Sequence, residues 1–251
     1  MDNSLYNMIY KRKSFHLFRG VEREISEEEL KKINEFLKNI NSLIPDIKTE
    51  IKIVPEKETT CKRGAEYCIL FYSEKKDNYL QNIGYIGEEL DLYLTSLNIG
   101  ALWYGIGKPK ETLDNGLEYI IMIAIAKMSE DSFRKDMFKS KRKELEEVWQ
   151  GEKYRYIGNI TRFAPSACNL QPWIVKEEEN KLNVFRYRKE GKRGIMPVHK
   201  VIFYNRIDIG IYMYILEICL KNESIDFERK LYPDNDEGEN AETLNAIYIL
   251  K

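Results

Sequence analysis

Apolar positions recur along this chain with two periods, and the switches between them mark out the elements. Leu5, Met8 and Ile9 fall at helical spacing, predicting a short N-terminal helix ahead of Arg12-Lys13-Ser14-Phe15-His16. Ser26 with Glu29 has the form of a capping box, and Leu30, Ile33, Leu37 and Ile40 carry a helical stripe on toward Pro45. Ile51 and Ile53 alternate with Glu50 and Lys52 as in a half-buried strand. Residues 67–72 are an unbroken apolar run and 117–126 are apolar but for Glu118, and both predict strands of the buried kind. Residues 79–98 are apolar almost throughout, as expected of a central helix, and the glycine-rich stretch 100–109 reads as a loop that breaks it and leaves backbone accessible.

Beyond residue 150 the pattern recurs. Ile69-Leu70-Phe71-Tyr72-Ser73 is echoed by Val201-Ile202-Phe203-Tyr204-Asn205. The stretch from Asn82-Ile83-Gly84 to Leu94 aligns without gaps on Asp208-Ile209-Gly210 to Leu220, and residues 121–127 are answered by 245–251. Strand, central helix and terminal strand are therefore expected twice in one order, in an α+β fold of two halves, residues 1–130 and 151–251, joined by a basic connector, 131–150. Two ordinary helices that share an apolar pattern are the plainer reading of the same identities.

Between the connector and the second set of strands lies Arg162-Phe163-Ala164-Pro165-Ser166-Ala167-Cys168-Asn169-Leu170-Gln171-Pro172-Trp173, whose composition core building does not explain. A helix over residues 156–163 is halted by Pro165, which lacks an N–H and disfavours helical geometry before it. Ser166 and Asn169 can bond backbone or ligand, and Pro172 holds Gln171 extended ahead of a strand at Trp173-Ile174-Val175. A helix end followed by a proline-bracketed turn accounts for the stretch without a ligand.

Charge narrows the field. Forty basic and 41 acidic residues leave a net charge of −1, so no global field draws nucleic acid or an anionic membrane. The cluster Arg134, Lys135, Lys139, Lys141, Arg142 and Lys143 lacks the interleaved aromatics of a nucleic-acid module. Cys61, Cys68, Cys168 and Cys219 show neither a Cys-x-x-Cys pair nor histidines at metal-ligand spacing, and no stretch resembles a signal sequence or a membrane span, which predicts a reduced cytoplasmic protein without a metal. Arg12, Lys13, Ser14 and His16 form a donor cluster suited to a phosphate, although a solvated charge run after a helix has the same composition.

The stretch from Ala164 to Trp173 resembles the Ala-Pro-Ser-x-x-Asn-x-Gln-Pro-Trp signature of the nitroreductase family, matching at Ala164, Pro165, Ser166, Asn169, Gln171, Pro172 and Trp173. The resemblance implies a nitroreductase-like fold that binds FMN. Arg12 and Ser14 match the family's N-terminal Arg-Arg-Ser-x-Arg pattern, Lys13 keeps the charge, and His16 stands where arginine or lysine is usual. It further implies that Pro165, Ser166, Ala167, Asn169 and Gln171 border the flavin, that Tyr104 or Gly105 offers backbone N–H to it, and that Lys141 and Arg142 hold its phosphate. The first half has the phosphate cluster but not the Pro-Ser-x-x-Asn loop, and the second half the reverse. On the resemblance, one chain would mimic the family's homodimer as a monomeric pseudo-dimer with one composite site. The implied reaction is hydride transfer from NADH or NADPH through FMN to a small electron-poor acceptor such as a nitro compound or quinone. The competing class is a flavin- or nucleotide-binding sensor or degenerate paralogue without turnover.

Overall fold

A computed structural model describes residues 4–111, 113–187 and 194–251. It divides into two compact units, residues 1–79 with 86–137, and residues 80–85 with 138–251. Residues 131–150 fall partly in each.

The first unit begins with α1 (Ser4–Lys11) and α2 (Glu27–Lys38), and Ser26 and Glu29 close the expected capping box at the start of α2. Strands β1 (Thr49–Pro55) and β2 (Tyr67–Ser73), helix α3 (Tyr79–Ser96), and strands β3 (Ile99–Tyr104) and β4 (Glu118–Lys127) follow. The strands form an antiparallel sheet ordered β1-β2-β4-β3. From Ile121 to Lys127 every residue of β4 is buried, which is why its apolar run does not alternate.

Residues 100–109 are not the open loop that their glycines suggest. Gly100 to Tyr104 lie in β3, paired along β4 from Ile99 opposite Lys127 to Tyr104 opposite Met122. Gly100 is there for space, since a Cβ would stand 2.6 Å from Met128 Cγ and 2.9 Å from the Phe15 ring. Leu102, Trp103 and Tyr104 supply bulky strand-forming side chains.

The second unit contains α4 (Leu145–Val148), β5 (Trp149–Gln150), α5 (Arg155–Thr161), β6 (Trp173–Glu178), β7 (Lys181–Tyr187), α6 (Val201–Asn222), β8 (Phe227–Leu231) and β9 (Glu242–Leu250). Its sheet runs β5-β6-β7-β9-β8, and β6-β7-β9-β8 are connected and ordered as β1-β2-β4-β3 are. Both inner pairs carry a bulge on the later strand. The pairing skips Ile120 between Ile121 and Tyr119, and Asn245 between Ala246 and Leu244.

The counterpart of β2 is thus β7, not residues 201–205. Those five residues open α6, where the apolar run continues unbroken into a helix buried on nearly all sides. The predicted alignment of residues 82–94 with 208–220 does fall on two helices, α3 and α6. Within the second unit the first turns of α3 pack on α6 at two glycines. A Cβ on Gly84 would lie 2.0 Å from the Ile207 carbonyl oxygen, and one on Gly210 would lie 1.9 Å from that of Gln81. Only a residue without Cβ permits such backbone contact.

Candidate functional site

In the second unit the signature stretch and the basic connector are built into one another. Helix α5 ends at Thr161, and Ala164 and Pro165 are buried behind it. The chain then folds into a tight turn in which Cys168, Asn169 and Gln171 all take left-handed φ of 50°, 55° and 49°. Non-glycine residues sit there at a cost of about 1 kcal/mol or more each, so the surroundings must hold them. Ser166 Oγ accepts the Gln171 N–H at 2.9 Å, and the Ser166 carbonyl accepts that of Asn169 at 3.0 Å.

Lys141, Arg142 and Lys143 complete the arrangement, 27 or 28 residues earlier in the chain. Arg142 Nη1 donates to Asn169 Oδ1 at 3.1 Å and Nη2 to the Phe163 carbonyl at 3.1 Å, while Asn169 Nδ2 donates to the Lys141 carbonyl at 3.1 Å. Gln171, only 2% exposed, accepts the Lys143 N–H at 2.9 Å on Oε1 and the Lys143 ammonium at 2.8 Å on its carbonyl. Gln171 thereby builds the loop. Cys168, Asn169 and Lys141 remain on the exposed side, and Ser166 and Ala167 are half-buried.

Behind the loop stands Asp208 of α6, which the sequence did not single out as a site residue. Its Oδ1 accepts the Ala167 N–H at 2.9 Å; Oδ2 accepts no hydrogen bond among the described residues, and the side chain is 3% exposed. Burial raises its pKa well above the ordinary value, and the Ala167 hydrogen bond opposes this only in part. One turn on, Tyr212 stacks against Trp173 at 4.8 Å between ring centroids and shares a 3.0 Å hydrogen bond with Thr161. A polar residue inside an otherwise apolar helix was the available signal for Asp208.

In the first unit the expected cluster separates. Arg12 is 3% exposed; its Nε donates to Asp91 Oδ2 at 2.8 Å and lies 3.7 Å from Glu88, and its Nη2 donates to Ser14 Oγ at 3.1 Å. Burial opposes the guanidinium's charge, but Asp91 and Glu88 outweigh it and raise the pKa. Burial likewise lifts Glu88 well above the carboxylate range. Arg12 therefore faces inward with a carboxylate partner, whereas Lys13 and His16 are exposed, with Lys13 Nζ on the Ser132 carbonyl at 2.8 Å. The apolar neighbours Ile9 and Phe15 mark this turn as one that enters the core. Tyr104 and Gly105, half-buried, end β3 and begin the turn after it.

The carboxylates on the two long helices are matched. Asp91 accepts the Trp103 indole N–H from β3 at 3.1 Å, and Glu217 accepts Arg229 of β8, Tyr248 at 2.9 Å and Tyr85 at 2.8 Å. Each acceptor and its donor from the following strand recur at one spacing, 91 to 217 and 103 to 229.

Residues 4–219 match the family model described as "Putative TM nitroreductase". Among solved structures, a putative nitroreductase from Thermotoga maritima matches with a TM-score of 0.64 at 18% identity, over 98% of this chain and 94% of that one. A nitroreductase family protein from Clostridium difficile matches 59% of this chain over 97% of its own, at 15% identity and TM-score 0.43. A protein described as a putative NADH dehydrogenase/NAD(P)H nitroreductase from Parabacteroides distasonis matches 56% of this chain over 95% of its own, at 14% identity and TM-score 0.42. No curated protein sequence matches the chain. Among the described residues no helix is long and apolar enough to cross a membrane.

Proposed function

The chain belongs to this nitroreductase family, and we propose that it is an FMN-dependent NAD(P)H oxidoreductase that reduces small electron-poor acceptors such as nitro compounds or quinones. The observation that carries the reading is the interlocked pair of segments, Lys141–Lys143 and Ser166–Gln171. On the resemblance, both would border the cofactor, and two of the loop's three left-handed residues, Asn169 and Gln171, are held by hydrogen bonds that involve side chains, which favours a preorganised surface over a chance turn.

The donor set fits FMN. Lys141 has an exposed ammonium that would take a phosphate, and the small side chains of Ser166 and Ala167, with Asn169 fixed by Lys141 and Arg142, would leave room for a flat ring to lie against the loop. Bound FMN would supply two-electron transfer between nicotinamide and acceptor. The chain's own part is placement: Arg142 and Gln171 hold the loop, and Asp208 fixes the Ala167 amide from behind. His16 is exposed in the first unit.

We further propose that the halves of one chain stand in for the two subunits of a dimer. The repeated strand order and the reciprocal contacts of Gly84 and Gly210 support this, since reciprocity is the property of an isologous contact. The alternative, a flavin- or nucleotide-binding sensor without turnover, draws support from Arg12, whose commitment to Asp91 removes a phosphate ligand that the family pattern supplies.

Titration with FMN, followed by NADH or NADPH oxidation with a quinone or nitroaromatic acceptor, separates these readings. Tight FMN binding with acceptor-dependent turnover is expected. Binding without turnover would favour the sensor, and no binding would leave the family membership without its cofactor.

A further inference from the structure

Among the described residues of the first unit, three carboxylate oxygens are buried without a hydrogen bond: both of Glu88 and Oδ1 of Asp91. The two side chains stand three residues apart on α3, the spacing at which helix neighbours meet, and both residues are fully buried. One cation serves them. Arg12 Nε donates to Asp91 Oδ2 at 2.8 Å, where the Trp103 indole N–H also arrives at 3.1 Å, but it stays 3.7 Å from Glu88 Oε1. Asp91 is thus neutralised by Arg12, whereas Glu88 has no cation of its own.

Two carboxylates beside one guanidinium cannot both keep a charge away from water, and the group without the contact is the one that takes up a proton. A proton also mends the hydrogen-bonding deficit, because a carboxylate only accepts while a carboxylic acid donates. Placed on Glu88, it gives Asp91 Oδ1 the donor that it lacks. Burial holds the Glu88 pKa well above the carboxylate range, with Arg12 opposing and Asp91 reinforcing it. Arg12 and Asp91 are the charged groups that act on Glu88, and Arg134, after β4, bears on Arg12. The same guanidinium reaches outward: Nη2 donates to Ser14 Oγ at 3.1 Å, Ser14 bridges to Ala101 of β3, and the Phe15 N–H donates to the Ala101 carbonyl at 3.0 Å.

We infer that Glu88 and Asp91 share one proton, which keeps Arg12 on Asp91 and through it keeps the turn after α1 seated on β3. The site is a proton-binding latch inside the first unit, and it requires neither flavin nor turnover. When the proton leaves at higher pH, a second buried carboxylate competes for Arg12 and the turn loosens from Ala101. With a folded pKa above the unfolded value of about 4.3, Glu88 contributes fully below that value, and its contribution is lost as pH rises through the folded pKa.

The test compares wild type, Glu88→Gln and Asp91→Asn by infrared absorption at neutral pH, where a protonated carboxyl group absorbs apart from carboxylates and amides. Asp208→Asn identifies the component that belongs to the second unit. Glu88→Gln should lose one protonated-carboxyl component. Asp91→Asn should lose it too, since Arg12 is then free to pair with Glu88 and the proton is released. In urea, the unfolding constant of wild type relative to Glu88→Gln should grow about tenfold per pH unit above about pH 4.3 until the folded pKa is passed. At equal alkaline pH, the Phe15 amide should exchange faster in wild type than in Glu88→Gln. A component that survives in Glu88→Gln would overturn the protonation of Glu88. One that survives in Asp91→Asn would mean that burial alone holds the proton and would overturn the sharing, and equal Phe15 exchange in both proteins would overturn the latch.

Discussion

Gly84 and Gly210 each press bare Cα against the other helix, Gly84 on the Ile207 carbonyl and Gly210 on that of Gln81. Both steps have one length along the chain, 84 to 210 and 81 to 207, so each glycine contacts the repeat counterpart of the other's partner. Alanine at either position would place Cβ about 2 Å from a backbone oxygen, which no rotamer relieves. Gly84→Ala and Gly210→Ala should each cost about 3 kcal/mol or more, beyond the usual range for overpacking, and denaturant unfolding would measure it.

Arg12→Ala should destabilise the first unit by about 3–5 kcal/mol at neutral pH, because Asp91 would remain buried with a charge and only the Trp103 N–H for company. The loss should be the same with and without FMN. A variant that unfolds normally but binds FMN weakly would instead place Arg12 on the phosphate.

Asp208 makes stability pH-dependent in a defined sense. Its folded pKa is raised, so the folded state holds the proton more tightly than the unfolded chain, and its contribution is full below the unfolded pKa near 4 and declines as pH rises. Asp208→Asn keeps an acceptor for the Ala167 N–H and removes the charge. Its stability relative to wild type should therefore improve from pH 4 upward, by on the order of 1–3 kcal/mol at pH 7, in urea titrations. A gap that stays flat with pH would mean that Asp208 is not protonated on folding.

Gln171→Leu should cost about 1–3 kcal/mol, since it leaves the half-buried Lys143 N–H without its acceptor. Hydrogen exchange should quicken at Asn169 and Lys143 before the sheets respond. Unchanged protection there would show that the loop and connector do not depend on each other.

The buried strands and helices were readable because burial on both faces leaves an unbroken apolar run, as in β4, and an amphipathic helix leaves a stripe, as in α2. Where two structures share one apolar signature the reading failed. Val201 to Asn205 look like a buried strand but continue into α6, while β7, interrupted by Asn183 and the buried Arg186, gave a weaker signal. Gly100 read as loop because composition does not tell a glycine needed for φ from one needed for space. In the site, the proximity of Arg142 to Asn169 follows from the fold. The inward turn of Arg12 depends on Asp91, 79 residues away, which no local pattern reveals.

The placement of Leu80–Tyr85 in the second unit has a consequence for how the protein is made. These residues leave the ribosome well before the turn of α6 that receives them, Gln81 preceding Ile207 by 126 positions. At ~5–20 residues per second the wait is roughly 6–25 s. During it, the bare glycine face of α3 has not yet met the helix that covers it. A chain truncated before α6 would leave Gly84 and its neighbours without the backbone they pack on.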